Sequence, residues 1–310
     1  MIYTLTLNPA LDKQYLIKQI EFNDVLRTDA VQVDFGGKGF NVSRMLKALG
    51  SESVALGFVG GKTGEVLTNG LHHLGIATDF VQVHEETRTN ISIVPEDHSK
   101  YVKVNEPGPM IRNDEINSLV AKIASLAKHG DWWVLAGSIP RGVGTDIYAR
   151  LISLIQAHGA NVILDASGGP LLHGCKVNAF LTKPNDIEAE KLTGLTVQSV
   201  EEAIVASGKI IEMGIQNVVI SMGKTGAVWV ADEAAWLVNS PEIEERNPIG
   251  AGDSLVGGLV WGLSNQLSYA ETLRWGVACG AAAASMDGTA MGDRTLVERL
   301  FAKTKAQQLV

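Results

Sequence analysis

Three short segments carry residues whose types and spacing suit chemistry on a phosphoryl group. The first is Asn247-Pro-Ile-Gly250-Ala251-Gly252-Asp253, which runs straight into the apolar stretch 254–263. Gly250, Ala251 and Gly252 have no bulky side chain, so an anion can approach their backbone. Free N–H groups where a helix begins point at such an anion, and the helix dipole favours it. A carboxylate at that mouth, Asp253, can take the proton from a hydroxyl that attacks phosphorus. In the competing reading Asp253 does no more than cap the helix.

The second segment is Asp34-Phe-Gly36-Gly37-Lys38-Gly39-Phe-Asn41. Glycines again precede a helix, with Lys38 in the turn and Asn41 at the helix start. That suits a phosphorylated or polyhydroxylated ligand held against backbone amides. It is not a dinucleotide fingerprint, because the third glycine is missing. The third segment, Thr182-Lys183-Pro-Asn185-Asp-Ile-Glu188, follows an apolar run. Lys183 can face a nucleotide phosphate. Asn185 and Glu188 can orient water around Mg²⁺, which prefers oxygen ligands and keeps much of its hydration. The alternative is a Pro-Asn-Asp turn that caps the next helix.

Ser221-Met-Gly223-Lys224-Thr-Gly226 also follows an apolar run and reads as a ligand-facing glycine turn. Two Gly-Lys-Thr tripeptides, at Gly61 and Gly223, suggest P-loops but lack the earlier glycine, since Leu56 and Val218 stand there. Asp12, Arg88, Asn90 and Lys103 can line a sugar-phosphate site, with Arg and Lys supplying charge and Asp holding hydroxyls. His72 and His73 have no metal-ligand partner at a useful spacing.

These loops need a scaffold. Apolar, β-rich runs at 2–7, 53–59, 132–136, 161–165, 179–182, 217–221 and 227–231 alternate with segments of helical spacing at 41–49, 114–127, 146–158 and 200–213. Such alternation implies βαβ units and a mainly parallel sheet covered on both faces. Residues 14–35 and 87–104 differ. They carry short alternating strands, the second with a polar turn at 96–100, and predict a small antiparallel sheet acting as a lid or a dimer surface.

Composition narrows the class. With 45% hydrophobic residues in 310, the chain can build a substantial core, which excludes disorder. A net charge of −8 gives no global reason to bind nucleic acid or an anionic membrane. Cys175 and Cys279 form no CxxC pattern, so a disulfide framework or zinc cluster is not expected. The sequence shows no leader and no long uncharged apolar run, and it predicts a soluble cytoplasmic protein.

In this order, Gly36-Gly37-Lys38-Gly39-x-Asn41, Lys183-Pro-Asn185-x-x-Glu188 and Gly250-Ala251-Gly252-Asp253 resemble the ribokinase-like sugar kinases, in their phosphofructokinase B branch. The resemblance spans residues 8–289. Thr6-Leu-Asn-Pro-Ala-Leu-Asp12, Thr87-Arg-Thr-Asn90 and Asn105-Glu-Pro-Gly108 look like the 1-phosphofructokinases and tagatose-6-phosphate kinases of that branch. Asp287-Gly-Thr289 departs from it, since related enzymes often carry Glu-Gly-Thr there.

The resemblance implies an α/β fold in one domain, 1–310: three layers, α/β/α, with a mainly parallel central sheet. A small β lid is inserted at about 12–35 and 87–106, and the chain would pair as a homodimer through it. Asp253 would be the base, beside an anion hole of the Gly250, Ala251 and Gly252 amides. Asp12, Gly37, Lys38, Asn41, Arg88, Asn90, Lys103 and Ser138 would approach the sugar phosphate. Lys183, Asn185, Ser221, Gly223, Lys224, Gly226 and Gly252 would line the ATP site, with Glu188 acting on Mg²⁺ through water. The expected reaction is phosphorylation of fructose 1-phosphate to fructose 1,6-bisphosphate. Tagatose 6-phosphate and fructose 6-phosphate are the alternative acceptors. A non-catalytic sugar-phosphate sensor on the same fold is the reading from another class, and the presence of Asp253 with Glu188 argues against it.

Overall fold

Continuous apolar runs between amphipathic segments build a wound α/β body. The computed structural model describes residues 1–96, 101–231, 234–288 and 290–309. Most of the turn expected at 96–100, and Thr289, lie outside them. The chain begins with β1 (Ile2–Thr6), β2 (Ala10–Ile17), β3 (Ala30–Gly36), α1 (Lys38–Ala48), β4 (Val54–Val59), α2 (Gly61–His73), β5 (Ala77–Thr78) and β6 (Val81–Gln82). There follow β7 (Arg88–Pro95), β8 (Val102–Asn105), α3 (Asn113–Leu126), β9 (Trp132–Ala136), α4 (Ile147–Ala157), β10 (Asn161–Asp165), α5 (Gly168–Gly174), β11 (Leu181–Thr182), α6 (Asp186–Thr193) and α7 (Val200–Glu212). The last part holds β12 (Asn217–Ser221), β13 (Ala227–Ala231), β14 (Ala234–Val238), α8 (Ala251–Ser264), α9 (Tyr269–Ala284), α10 (Arg294–Phe301) and β15 (Ala306–Gln308).

The large sheet runs β15-β14-β13-β12-β11-β10-β9-β1-β4-β5, with β6 also paired to β4. From β12 to β5 every pairing is parallel, and β12 through β15 pair antiparallel. Alternation along each strand divides the core. Leu5, Leu135 and Leu164 face α3, α4 and α7, while Val134, Ile163 and Val219 face α1, α8 and α9. The parallel register brings the strand ends Thr6, Ala136, Asp165 and Thr182 to one edge. In such sheets ligands bind at that carboxyl edge.

The second sheet has the order β3-β2-β7-β8. It was expected to be antiparallel, but β2 and β7 pair in parallel, with Ala10 opposite Arg88 and Asp12 opposite Asn90. Both strands start where the chain leaves the large sheet and run outward together, so their directions agree. Their hairpin partners β3 and β8 are antiparallel to them.

Helices α1 and α8 each begin three residues before the expected start, at Lys38 and Ala251. Their first turns are glycine-rich and carry no apolar periodicity. Asp253 is therefore not an N-cap. Gly250 holds that position, in the left-handed conformation at φ 82°, and Asp253 is the third residue of α8. In α1, Gly37 is the N-cap and Lys38 the first helical residue.

Candidate active site

Asp253 sits in the first turn of α8 and is 8% exposed. Its position follows from the Gly250 turn, which lets the chain enter the helix with the carboxylate turned inward. The Ala251 N–H donates to the Pro248 carbonyl at 3.2 Å, and the Ser254 N–H returns to Gly250 at 2.8 Å. The Ala251 amide, expected in the anion hole with those of Gly250 and Gly252, is thus engaged within the turn, while the Gly252 and Asp253 amides are left at a position where a helix offers no internal acceptor. Asn41, one turn into α1, donates its Nδ2–H to Asp253 Oδ2 at 2.8 Å. Burial pushes the Asp253 carboxyl up to about 6, against the pull of Lys38, and the nearby Asp165 charge adds to the rise. A carboxyl near 6 ionises at neutral pH yet remains a competent proton acceptor.

Asp165 was not among the residues singled out from sequence. It ends β10, is fully buried, and both its oxygens lie 3.1 Å from Lys38 Nζ. Lys183, just past the neighbouring strand β11 and 3% exposed, brings its Nζ to 3.5 Å from Asp165 Oδ1. Burial alone would raise the Asp165 carboxyl, but Lys183 and Lys38 hold it below its usual range. Burial likewise disfavours the charged Lys38, yet Asp165, Asp253 and Glu188 hold its ammonium well above the ordinary value. The signal in the sequence was a lone carboxylate closing an apolar strand at the ligand-binding edge.

A cavity of about 1170 Å³ opens beside this cluster. Lys183, Asn185, Ser221, Gly223, Lys224 and Gly226 line one side, and Gly252 and Asp253 with Val277, Gly280 and Ala281 line the other. Every residue expected to hold a nucleotide therefore reaches one space. Gly226 is required there: its φ is 109°, and a Cβ would stand 2.0 Å from the Val238 carbonyl. Lys224, largely exposed, pairs with Glu245 at 3.4 Å.

Asn185 caps α6, accepting from the Glu188 N–H at 2.7 Å, while Glu188 Oε2 accepts from the Asn185 N–H at 3.0 Å. The segment therefore caps α6 and also lines the cavity. Among the described residues no group of three His, Cys, Asp or Glu could hold a metal. Glu188 is among the residues lining the cavity, and one carboxylate there fits Mg²⁺ that is carried mainly by phosphates and water.

The remaining sequence candidates gather where the small sheet meets α1. None of Asp12, Gly37, Asn41, Arg88, Asn90, Lys103 or Ser138 lines the large cavity. Asp12 Oδ1 accepts from Asn90 Nδ2 at 2.7 Å. Burial raises the Asp12 carboxyl, and Asn90, Lys103 and Arg88 oppose that rise. Lys103 is exposed on β8 and acts on Asp12 through its charge. Ser138 follows Gly137, where a Cβ would stand 3.7 Å from that of Lys38, so Lys38 joins this group to the nucleotide side. Arg88 is already engaged: it donates to the carbonyls of Asn8 at 2.9 Å, Glu106 at 3.1 Å and Pro9 at 3.4 Å.

Asn8 was also overlooked. Its Nδ2 donates to the Pro107 carbonyl at 3.2 Å and to Ser138 Oγ at 3.5 Å. The Pro107 carbonyl fixes which way that amide points. Asn8 Oδ1 and Asn90 Oδ1 are both buried with no partner among the described residues. Unpaired buried acceptors are costly, which marks this junction as specialised.

The sequence model of the pfkB family carbohydrate kinases matches residues 4–295. The chain belongs to that family. It is 36% identical to the 1-phosphofructokinase of Bacillus subtilis (strain 168) over 309 residues, covering 100% of both chains. It is 34% identical over 277 residues to the tagatose-6-phosphate kinase of Staphylococcus epidermidis, covering 88% of this chain and 89% of that one. The crystal structure of Escherichia coli phosphofructokinase-2 in complex with fructose-6-phosphate superposes with a TM-score of 0.90 at 31% identity, covering 97% of this chain and 98% of that one. The ribokinase-like pfkB fold, with its mostly parallel sheet and separate small sheet, is therefore established, and the chain is a carbohydrate kinase. Among the described residues, no helix of this pfkB kinase is long and apolar enough to cross a membrane.

Proposed function

We propose that this kinase moves the γ-phosphoryl group of ATP to the free primary hydroxyl of a phosphorylated ketohexose. The acceptor is fructose 1-phosphate and the product fructose 1,6-bisphosphate. The observation that carries the reading is Asp253: a buried carboxylate, hydrogen-bonded by Asn41 and lining the same cavity as the nucleotide-side residues, beside the Gly252 and Asp253 amides of the first helical turn.

ATP lies in the large cavity with its triphosphate toward Lys183 and the start of α8. The sugar lies at the lid junction, its hydroxyls on Asp12 and Asn90 and its phosphate near Lys38, Arg88, Lys103 and Ser138. Asp253 accepts the proton of the attacking hydroxyl. The new O–P bond forms as the bond to ADP breaks, and the Gly252 and Asp253 amides offset charge on the transferred group. Glu188 would hold Mg²⁺ through water, and the ion would supply positive charge to the phosphates. Closure of the lid excludes water, a competing acceptor.

The 1-phosphofructokinase relative supports fructose 1-phosphate, and the Staphylococcus and Escherichia relatives support tagatose 6-phosphate or fructose 6-phosphate as the second reading. An ADP-release assay across the three sugar phosphates decides between them. Turnover with none of them, despite ligand binding, would favour a sensor.

The same reading includes a dimer through the lid. Val31, Val33, Tyr101 and Val104 are exposed on strands β3 and β8 or next to them. Replacing Val33 and Val104 by Lys should give monomers in light scattering. Both cysteines are free and buried, which suits the reducing cytoplasm.

A further inference from the structure

We propose that Asp165 is the positioning residue of this site, holding Lys38 on the acceptor side and Lys183 on the nucleotide side as one cationic bridge beside Asp253. The proposal rests on the kinase reading above and adds a residue to it.

A fully buried carboxylate at a strand end is expensive unless it is paired. Asp165 meets that requirement twice, with Lys38 at 3.1 Å and Lys183 at 3.5 Å. The two lysines come from elements far apart in sequence, the first turn of α1 and the exit of β11. Two ammonium groups on a shared anion would repel each other without it. The strand end that carries Asp165 is itself fixed. Its carbonyl accepts from the Gly137 N–H at 3.0 Å, and the Leu164 carbonyl accepts from the Lys183 N–H at 3.2 Å and from Thr182 Oγ1 at 2.9 Å.

Lys183 is also tied to the start of α8. A Cβ on Gly252 would stand 3.6 Å from its Nζ. The bridge therefore runs from the lid junction, through Lys38, Asp165 and Lys183, to the first turn of α8. It carries two positive charges and one negative, a net positive charge where the transferred group must pass. Asp165 touches neither substrate in this arrangement; it sets where the two lysines stand.

The charges around Asp253 give the proposal a distinctive signature. Lys38, Lys183 and the Asn41 amide all favour its ionised form, and Asp165 disfavours it. Asp165→Asn removes the repelling charge. The rate should fall because the lysines separate, while the acidic limb of the pH profile moves to lower pH. A general loss of structure would not move that limb downward.

The test compares wild type with Asp165→Asn. It measures kcat and KM with ATP and the best sugar phosphate, the pH dependence of kcat/KM, the affinity for ADP alone by calorimetry, and the melting temperature. The expected result is a folded protein with kcat reduced about 10²-fold, as for a misplaced reacting group. ADP binding should be weaker and the acidic limb lower. Near-normal kcat, or a loss of rate with the limb unmoved, overturns the proposal. If Asp165→Asn does not fold, Lys38→Met, Lys183→Met and the double variant take its place. Coupling through Asp165 makes their effects on ADP affinity non-additive, and additive effects overturn it. Wild type that turns over none of the three sugar phosphates counts against the kinase reading, while the ADP-affinity cycle still decides the role of Asp165.

Discussion

Asn41 donates a 2.8 Å hydrogen bond to Asp253 from a position 212 residues earlier in the chain. The bond ties the first turns of α1 and α8 together, so the helix that bears the lid-side lysine also orients the carboxylate. It stabilises the charged form of Asp253 against burial. Asn41→Leu removes that support without adding charge. The Asp253 carboxyl should then titrate above 6, and the acidic limb of kcat/KM should move upward by about one pH unit. A pH–rate profile of the variant checks this, and an unmoved limb would mean the bond does not govern the base.

Asp253→Asn should lower kcat by roughly 10²–10⁴ while nucleotide binding persists. The same substitution should stabilise the fold at neutral pH. A carboxyl whose pKa is raised by folding weakens the native state above that pKa, and the penalty disappears as pH falls toward the unfolded value. The rise from 3.8 to about 6 corresponds to ~3 kcal/mol. The melting temperature of Asp253→Asn should therefore exceed wild type at pH 8, and the gap should close near pH 4. Scanning calorimetry at the two pH values reads both parts.

Gly226→Ala should damage the nucleotide side selectively. Its φ of 109° strains any L-residue, and the added methyl would meet the Val238 carbonyl. The turn 223–225 should shift, costing about 1–3 kcal/mol of stability. KM for ATP should rise more than KM for the sugar phosphate. Equal effects on the two, measured by steady-state kinetics, would mean the turn serves the fold alone.

The central strands and helices α1, α3, α4, α7 and α8 were legible because apolar runs and helical spacing are written into the core positions, whereas α2, α9, α10 and the edge strands β14 and β15 were not read. The helix starts were less legible. Gly37, Gly39, Gly250 and Gly252 carry no periodic signal, although they open α1 and α8. The residues expected on the nucleotide side, read from glycine turns and the Lys183-Pro-Asn185 segment, all line one cavity. Asp165 was hidden because its partners, Lys38 and Lys183, lie 127 and 18 positions away, a distance no local pattern covers. The parallel pairing of β2 with β7 was hidden for the same reason: each hairpin is legible by itself, but their mutual direction depends on where both leave the large sheet.

Arg88 gives the sharpest difference between a charge read from sequence and its use in the fold. Its guanidinium spans the carbonyls of Asn8, Pro9 and Glu106, joining the exit of β1 to the return from β8. It thus braces the root of the small sheet, where the proposed sugar-phosphate site lies. Arg88→Lys keeps the charge and loses the planar fork. If charge alone mattered, the variant would bind sugar phosphate normally. Because the fork ties two segments, Arg88→Lys should lower stability by about 1–2 kcal/mol and raise KM for the sugar phosphate roughly tenfold. KM for ATP should change little, since none of the three carbonyls borders the nucleotide cavity. Denaturant unfolding and a two-substrate kinetic analysis read these effects separately. A variant with wild-type stability and wild-type KM would show that the brace is dispensable and that Arg88 contributes charge alone.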